Sequence, residues 1–188
     1  LSHYREEIVM SYNVYGGGWG SAPQVKRKVF VSYHHGGDQG YYDLFTRTFC
    51  DTYEVITDSS LERQVDSLDV DYVMRRIREN YIAGSSCMIV LVGKDTWGRK
   101  YVDWEIKATL EKEHGLIGVR LPTASVTPQG TVTVPDRLYD NINSSYALWV
   151  TWEQITAGAQ ACTPYIEQAN SRDRRRIVNT RERRLRNG

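Results

Sequence analysis

With 188 residues the chain is long enough for one domain with its own core, and 40% hydrophobic against 25% charged residues excludes an intrinsically disordered protein. No apolar run approaches the roughly 20 residues that span a bilayer, the longest (88–93) being of strand length. The formal net charge of +1 conceals an uneven distribution: residues 172–188 carry eight arginines against Asp173 and Glu182, leaving the rest of the chain mildly acidic.

Residues 1–27 read as a lead-in, rich in glycine from Gly16 to Gly20, with Met10 as the natural start and 1–9 contributed from upstream. No basic segment followed by an apolar core opens the chain, so a secretory signal is not expected. Cys50, Cys87 and Cys162 are isolated and odd in number, which points away from a disulfide framework. A cytoplasmic protein is the expectation.

The first strand is Val29-Phe30-Val31-Ser32-Tyr33, followed by a loop over 34–40 and a helix over 41–51 with Leu44, Phe45, Thr48 and Phe49 on one side. A second strand covers 53–57 and a polar loop 58–67. An amphipathic helix is predicted over 69–82, with Val70, Val73, Met74, Ile77 and Tyr81 as its apolar stripe, Asp69 as N-cap and Gly84 as stop. Residues 87–92 are apolar throughout, as in a central strand covered on both faces. A helix begins within 97–100 and ends before Gly115, burying Val102, Ile106 and Leu110. Strand four covers 116–120. A loop with Pro122, Pro128 and Pro135 leads to strand five over 146–150.

Strands alternating with helices imply an α/β fold: three layers, helix–sheet–helix, around a mainly parallel five-stranded sheet of flavodoxin-like topology. Ligands of such sheets bind beyond the carboxyl ends of the strands. The loops after strands one, three and four are therefore where a site is sought.

The common nucleotide and metal motifs are missing. Gly93-Lys94 resembles the end of a P-loop, but Met88 stands where that motif needs glycine. No Cys or His pair has zinc spacing, so no metal is expected. His34 and His35 follow strand one, and two adjacent loop histidines are more often solvated than functional. The segment 97–106 is the most informative. Glu105 lies at the edge of the apolar stripe, with Trp97, Tyr101 and Trp104 around it. On the residues alone, a surface glutamate paired with Lys100 or Lys107 is the favoured reading, because structural ion pairs are common. A crevice carboxylate that meets a cation or ribose hydroxyls is the other.

Three stretches taken together (71–82, 85–93 and 96–106, ending Trp97-Gly-Arg-Lys-Tyr-Val-Asp-Trp-Glu105-Ile106) strongly resemble the ThsB family, the TIR-like subunit of Thoeris anti-phage defence. Val29-Phe-Val-Ser-Tyr-His34 resembles its first strand. The resemblance covers about 28–155, which it marks as a TIR-like domain, with 156–188 a C-terminal extension ending in the Arg-rich tail. It implies an NAD glycohydrolase or ADP-ribosyl cyclase type of enzyme, with NAD as substrate. Such an enzyme cleaves the nicotinamide–ribose bond and makes an ADP-ribose-derived, often cyclic, signal nucleotide that activates an effector protein. The catalytic glutamate maps onto Glu105 through the Trp97-x7-Glu105 pattern. Ser32, Tyr33, His34 and Asp38 would line the NAD site with Trp97, and Asn141 joins them on a less specific match. A phage-derived trigger and self-assembly are implied partners.

Two other readings stand beside this one. TIR-type domains also serve as interaction modules without chemistry, since a fold alone confers none. The Arg-rich tail could bind nucleic acid, but it lacks aromatics for base stacking and its body is acidic, so this is the least favoured. The tail over 172–188 supplies few apolar side chains and is expected to be dispensable for the fold, so that a chain ending near Ala169 would stay soluble and cooperative.

Overall fold

A computed structural model describes residues 26–56 and 70–188. The sheet comprises β1 (Arg27–Ser32), β2 (Tyr53–Ile56), β3 (Cys87–Val92), β4 (Gly115–Arg120) and β5 (Leu148–Thr151). Their order is β2-β1-β3-β4-β5 and every pairing is parallel. This is the flavodoxin-like doubly wound order, whose direction reverses between β1 and β3. β3 lies in the middle and is buried along its whole length, which its unbroken apolar run requires.

Around the sheet lie α1 (His35–Phe49), α2 (Val70–Arg76), α3 (Lys100–Glu111), α4 (Asp136–Asn143), α5 (Trp152–Ile155) and α6 (Cys162–Asn170). Strand side chains alternate between the two faces. Val29, Val31, Ile89, Leu91 and Val119 meet Phe45 and Phe49 of α1, Ile155 of α5 and Ile166 of α6. Phe30, Met88, Val90, Val92 and Leu116 meet Val102, Ile106 and Leu110 of α3 and Leu138 of α4. The three layers expected from the alternation are present. A further cluster joins Val73 and Met74 of α2 to Trp104 and Ala108 of α3.

Several local expectations are corrected. The predicted loop over 34–40 is mostly helix, because α1 starts at His35 rather than Tyr41. Gly36 and Gly37 fall in its first turn, where the His34 ring lies 3.1 and 3.2 Å from the positions their Cβ atoms would take. Tertiary packing of Phe45, Phe49 and Asp38, all buried, outweighs the roughly 1 kcal/mol that each helical glycine costs. The helix over 69–82 is not uniform: α2 runs into a π-helical segment at Ile77–Ile82. Ile77 and Ile82 are both fully buried. A five-residue spacing shares one face only if the turn is widened this way. Strand five begins two residues late, since the N–H groups of Tyr146 and Ala147 both donate to the carbonyl of Asn141. Thr57, the loop over 58–67, Asp69, the lead-in over 1–25, and the side chains of Val70 and Tyr81 lie outside the described residues.

The division at residue 155 corresponds to no structural break. Ile166 and Ala169 of α6 belong to the main core. Beyond them, residues 177–188 cross α4 and α3, bonded to both.

Candidate active site

The reversal point between β1 and β3 is where a doubly wound sheet opens a crevice at its carboxyl end. Ser32 closes β1 and, like Phe30, points to the α3 face. Its register partner is Val90 of β3. Glu105 lies in the second turn of α3, and the Ser32 hydroxyl donates to its carboxylate Oε2 at 2.5 Å. Ser32 is 2% and Glu105 6% exposed. The surface reading of Glu105 is therefore not what the fold adopts. Lys107 pairs instead with Glu111, and the Lys100 ammonium sits over Tyr101 and Trp104.

A second carboxylate gathers at the same end. Asp38, in the first turn of α1, is buried and accepts from the Thr96 hydroxyl at 3.0 Å. The same hydroxyl accepts from Gly93 N–H at 2.9 Å. Gly93 is required here: a Cβ would lie 2.0 Å from Asp38 Oδ1. Burial pushes the Asp38 carboxyl above its ordinary range, opposed by the Thr96 hydrogen bond and by His34 nearby. His34 rests its ring on the first turn of α1, and its buried Nδ1 has no hydrogen-bond partner. A buried polar atom without a partner costs free energy.

The remaining site candidates lie elsewhere. Tyr33 points to the opposite face of the sheet, donates to Gln39 and stacks on Tyr42 at 4.6 Å. Trp97 sits in a 3-10 turn (Thr96–Gly98), with Gly188 and the Arg184 guanidinium against its ring. Asn141 is fully buried in α4 and binds the backbone of Val178 through both ends of its amide. The structure thus brings Ser32 together with Glu105, and His34 together with Asp38, at one end of the sheet. Trp97 and Asn141 serve the segment 177–188 instead.

Sequence reasoning passed over Thr96 and the pair Asp103–Arg137, and read Gly93 only as the end of an incomplete P-loop. The Arg137 guanidinium is fully buried and bonds both Asp103 oxygens, at 2.9 and 3.3 Å. A hydroxyl three residues after a glycine at a strand end was the one available hint for Thr96. Nothing local foretold Arg137, because its partner lies 34 residues away.

The strand order β2-β1-β3-β4-β5 with helices on both faces defines the class, an α/β domain of flavodoxin-like topology. The sequence profile of the TIR-like domain of the Thoeris protein ThsB matches residues 30–126, more than half of the chain. The chain belongs to that family of TIR-like domains. Among solved structures it is similar to the TIR domains in "Structure of the activated Roq1 resistosome directly recognizing the pathogen effector XopQ (TIR domains)", at 18% identity and a TM-score of 0.37. That likeness covers 55% of this chain and 61% of the other, so the chain spans less than two thirds of that relative's length. No curated protein matches. Among the described residues no helix is long and apolar enough to cross a membrane, and no three His, Cys, Asp or Glu side chains converge as a metal ion would need.

Proposed function

We propose that the chain cleaves the nicotinamide–ribose bond of NAD, with Glu105 as the catalytic carboxylate. The ADP-ribosyl part then becomes a signal nucleotide, cyclic or linear, that activates a partner effector. One observation carries this reading: a buried carboxylate, held by the Ser32 hydroxyl, at the carboxyl end of the sheet where its order reverses. Membership of the ThsB family supports it.

The chemistry suits one fixed anion. As the C–N bond breaks, its electron pair leaves with the nicotinamide nitrogen, which departs neutral and needs no general acid. Positive charge then grows on the ribose, as in glycoside cleavage. A preorganised carboxylate in a water-poor setting gains most when that charge has developed. The Ser32 hydrogen bond keeps Glu105 oriented. The cation is captured by water or by a nucleophile of the same nucleotide, which sheds its proton. His34 and Asp38 lie at the same end of the sheet, where they would meet the remaining polar groups of the nucleotide.

The test is incubation of the full chain with NAD, with and without phage lysate, and identification of products by mass spectrometry. Free nicotinamide in step with an ADP-ribose-derived product is expected. A folded chain that releases none under either condition would return the protein to the interaction-module reading. Nucleic-acid binding through the tail is weakened by ion pairing of Arg174, Arg181, Arg183 and Arg184 to acidic residues of the body.

A further inference from the structure

Residues 177–188 have little regular structure, yet other parts of the chain bond their backbone as closely as a partner strand would. Asn141 accepts from Val178 N–H at 3.0 Å and donates to its carbonyl at 2.8 Å. Arg137 spends its remaining donors on Asn179 Oδ1 and on the carbonyls of Arg181 and Glu182. Asp103 accepts from Arg184 N–H at 2.9 Å, and Trp104 Nε1 donates to the Arg184 carbonyl at 2.8 Å. Asn187 Oδ1 accepts from Lys100 N–H at 3.0 Å, supplying the helix cap that the side chain of Arg99 does not. Gly188 N–H donates to the Gly98 carbonyl at 2.9 Å, and a Cβ on Gly98 would lie 3.0 Å from Gly188 O. Asn179 Nδ2 donates to the Lys107 carbonyl at 3.2 Å.

The contacts on α3 fall at 100, 103, 104 and 107, one stripe at helical spacing. Glu105 projects from the neighbouring face towards Ser32 of the sheet. The helix is therefore held by the sheet on one side, by α2 through Trp104 and Ala108, and by 177–188 along this stripe.

We propose that residues 177–188 form a positioning strap, which fixes the rotation and register of α3 and so sets Glu105 against Ser32. Trp104, Asn187 and Asn141 are its positioning residues. Its consequence for turnover rests on the NAD reading above; its mechanics do not.

The experiment uses full chains: the parent, Asn187→Ala, Asn187→Asp and Trp104→Phe. Asn187→Asp keeps an acceptor for Lys100 N–H, and Trp104→Phe deletes only the indole donor and part of the ring. Hydrogen exchange in the parent should show the amides of Val178, Arg184 and Gly188 protected well beyond an open coil. Asn187→Ala and Trp104→Phe should expose Gly188 and Arg184 and shift the Glu105 side-chain carboxyl carbon resonance, while Asn187→Asp stays near the parent. In NAD turnover, kcat should fall about tenfold or more with KM nearly unchanged, since small misplacement of a reacting group is costly, and Asn187→Asp should restore it. Coil-like exchange of the three strap amides in the parent overturns the proposal. So does a loosened strap that leaves the Glu105 resonance and kcat unmoved, or that only lowers Tm. A parent that releases no nicotinamide, but whose Glu105 resonance follows the strap, overturns the NAD reading and leaves the strap standing.

Discussion

At the scale of the residue, the buried carboxylates Glu105 and Asp38 have different settings. Glu105 has a hydroxyl donor at the carboxyl end of the sheet, and in the proposed function it meets the ribosyl cation. Glu105→Gln keeps the shape and an acceptor for Ser32 but removes the charge. Nicotinamide release should fall by roughly 10²–10³, the usual weight of one preorganised electrostatic contact, while Tm changes little. Near-parental release by a folded Glu105→Gln chain would remove this residue from the mechanism. Asp38 offers a test by pH. Burial raises its carboxyl in the folded chain, so the folded state holds that proton more tightly than the unfolded one. Its contribution to stability is full below the ordinary carboxylate range and is lost as pH rises through the raised value. Asp38→Asn never ionises and can still accept from Thr96. It should therefore melt above the parent at neutral pH, with the gap closing as pH is lowered; a gap independent of pH would contradict the buried charge.

At the scale of the element, close approach decides which side chains are allowed. Gly118 of β4 lies beneath Trp149 of β5 and Leu138 of α4: a Cβ would sit 2.7 Å from the indole and 3.0 Å from the leucine. Gly118→Ala should cost about 1–3 kcal/mol as overpacking does, read as a lower urea midpoint at unchanged slope. An alanine variant that unfolds with the parent would mean that Trp149 shifts aside freely. The strap is the element most at odds with its composition. It has few apolar side chains, which suggested that it could be removed. Its hold comes instead from backbone hydrogen bonds to buried side chains, and cutting it away would leave Arg137 with Asp103 alone and take the Val178 N–H from the buried Asn141 amide oxygen. A chain ending near Ala169 should accordingly melt below the parent, whereas the sequence leads us to expect it to stay soluble and cooperative.

At the scale of the whole molecule, an acidic body and a basic tail are two halves of one arrangement. Arg181 pairs with Asp140, Arg183 with Asp71 and Arg184 with Asp136. Exposed pairs of this kind are each worth about 0–1 kcal/mol. They lie over the hydrogen bonds that hold 177–188. Closure of the two cores also sorts the cysteines. Cys50 is exposed; Cys87 and Cys162 are buried, and burial pushes both thiols up, Cys162 to about 12. A thiol reagent should modify one equivalent quickly in the native chain and the other two only on unfolding. A second fast equivalent would show that α6 opens from the core.

The sequence by itself determined the class of fold, because period and run length report burial directly. The unbroken run at 87–92 could only be an inner strand, and the spacing of Val102, Ile106 and Leu110 could only face a core. It also pointed to Glu105, though through a resemblance across three motifs and not through the physics of the residue, which favoured a surface ion pair. The tertiary structure alone decided what lies far apart in the chain. Ser32 meets Glu105 across 73 residues, Thr96 meets Asp38 across 58, and Asn141 meets Val178 across 37. Propensity misread the glycines at 36 and 37, whose cost is offset by packing that no local window contains. It misread the strap for the same reason: the groups held there are the strap's own backbone amides and carbonyls, which no composition reveals, and the side chains that hold them lie far away in the chain.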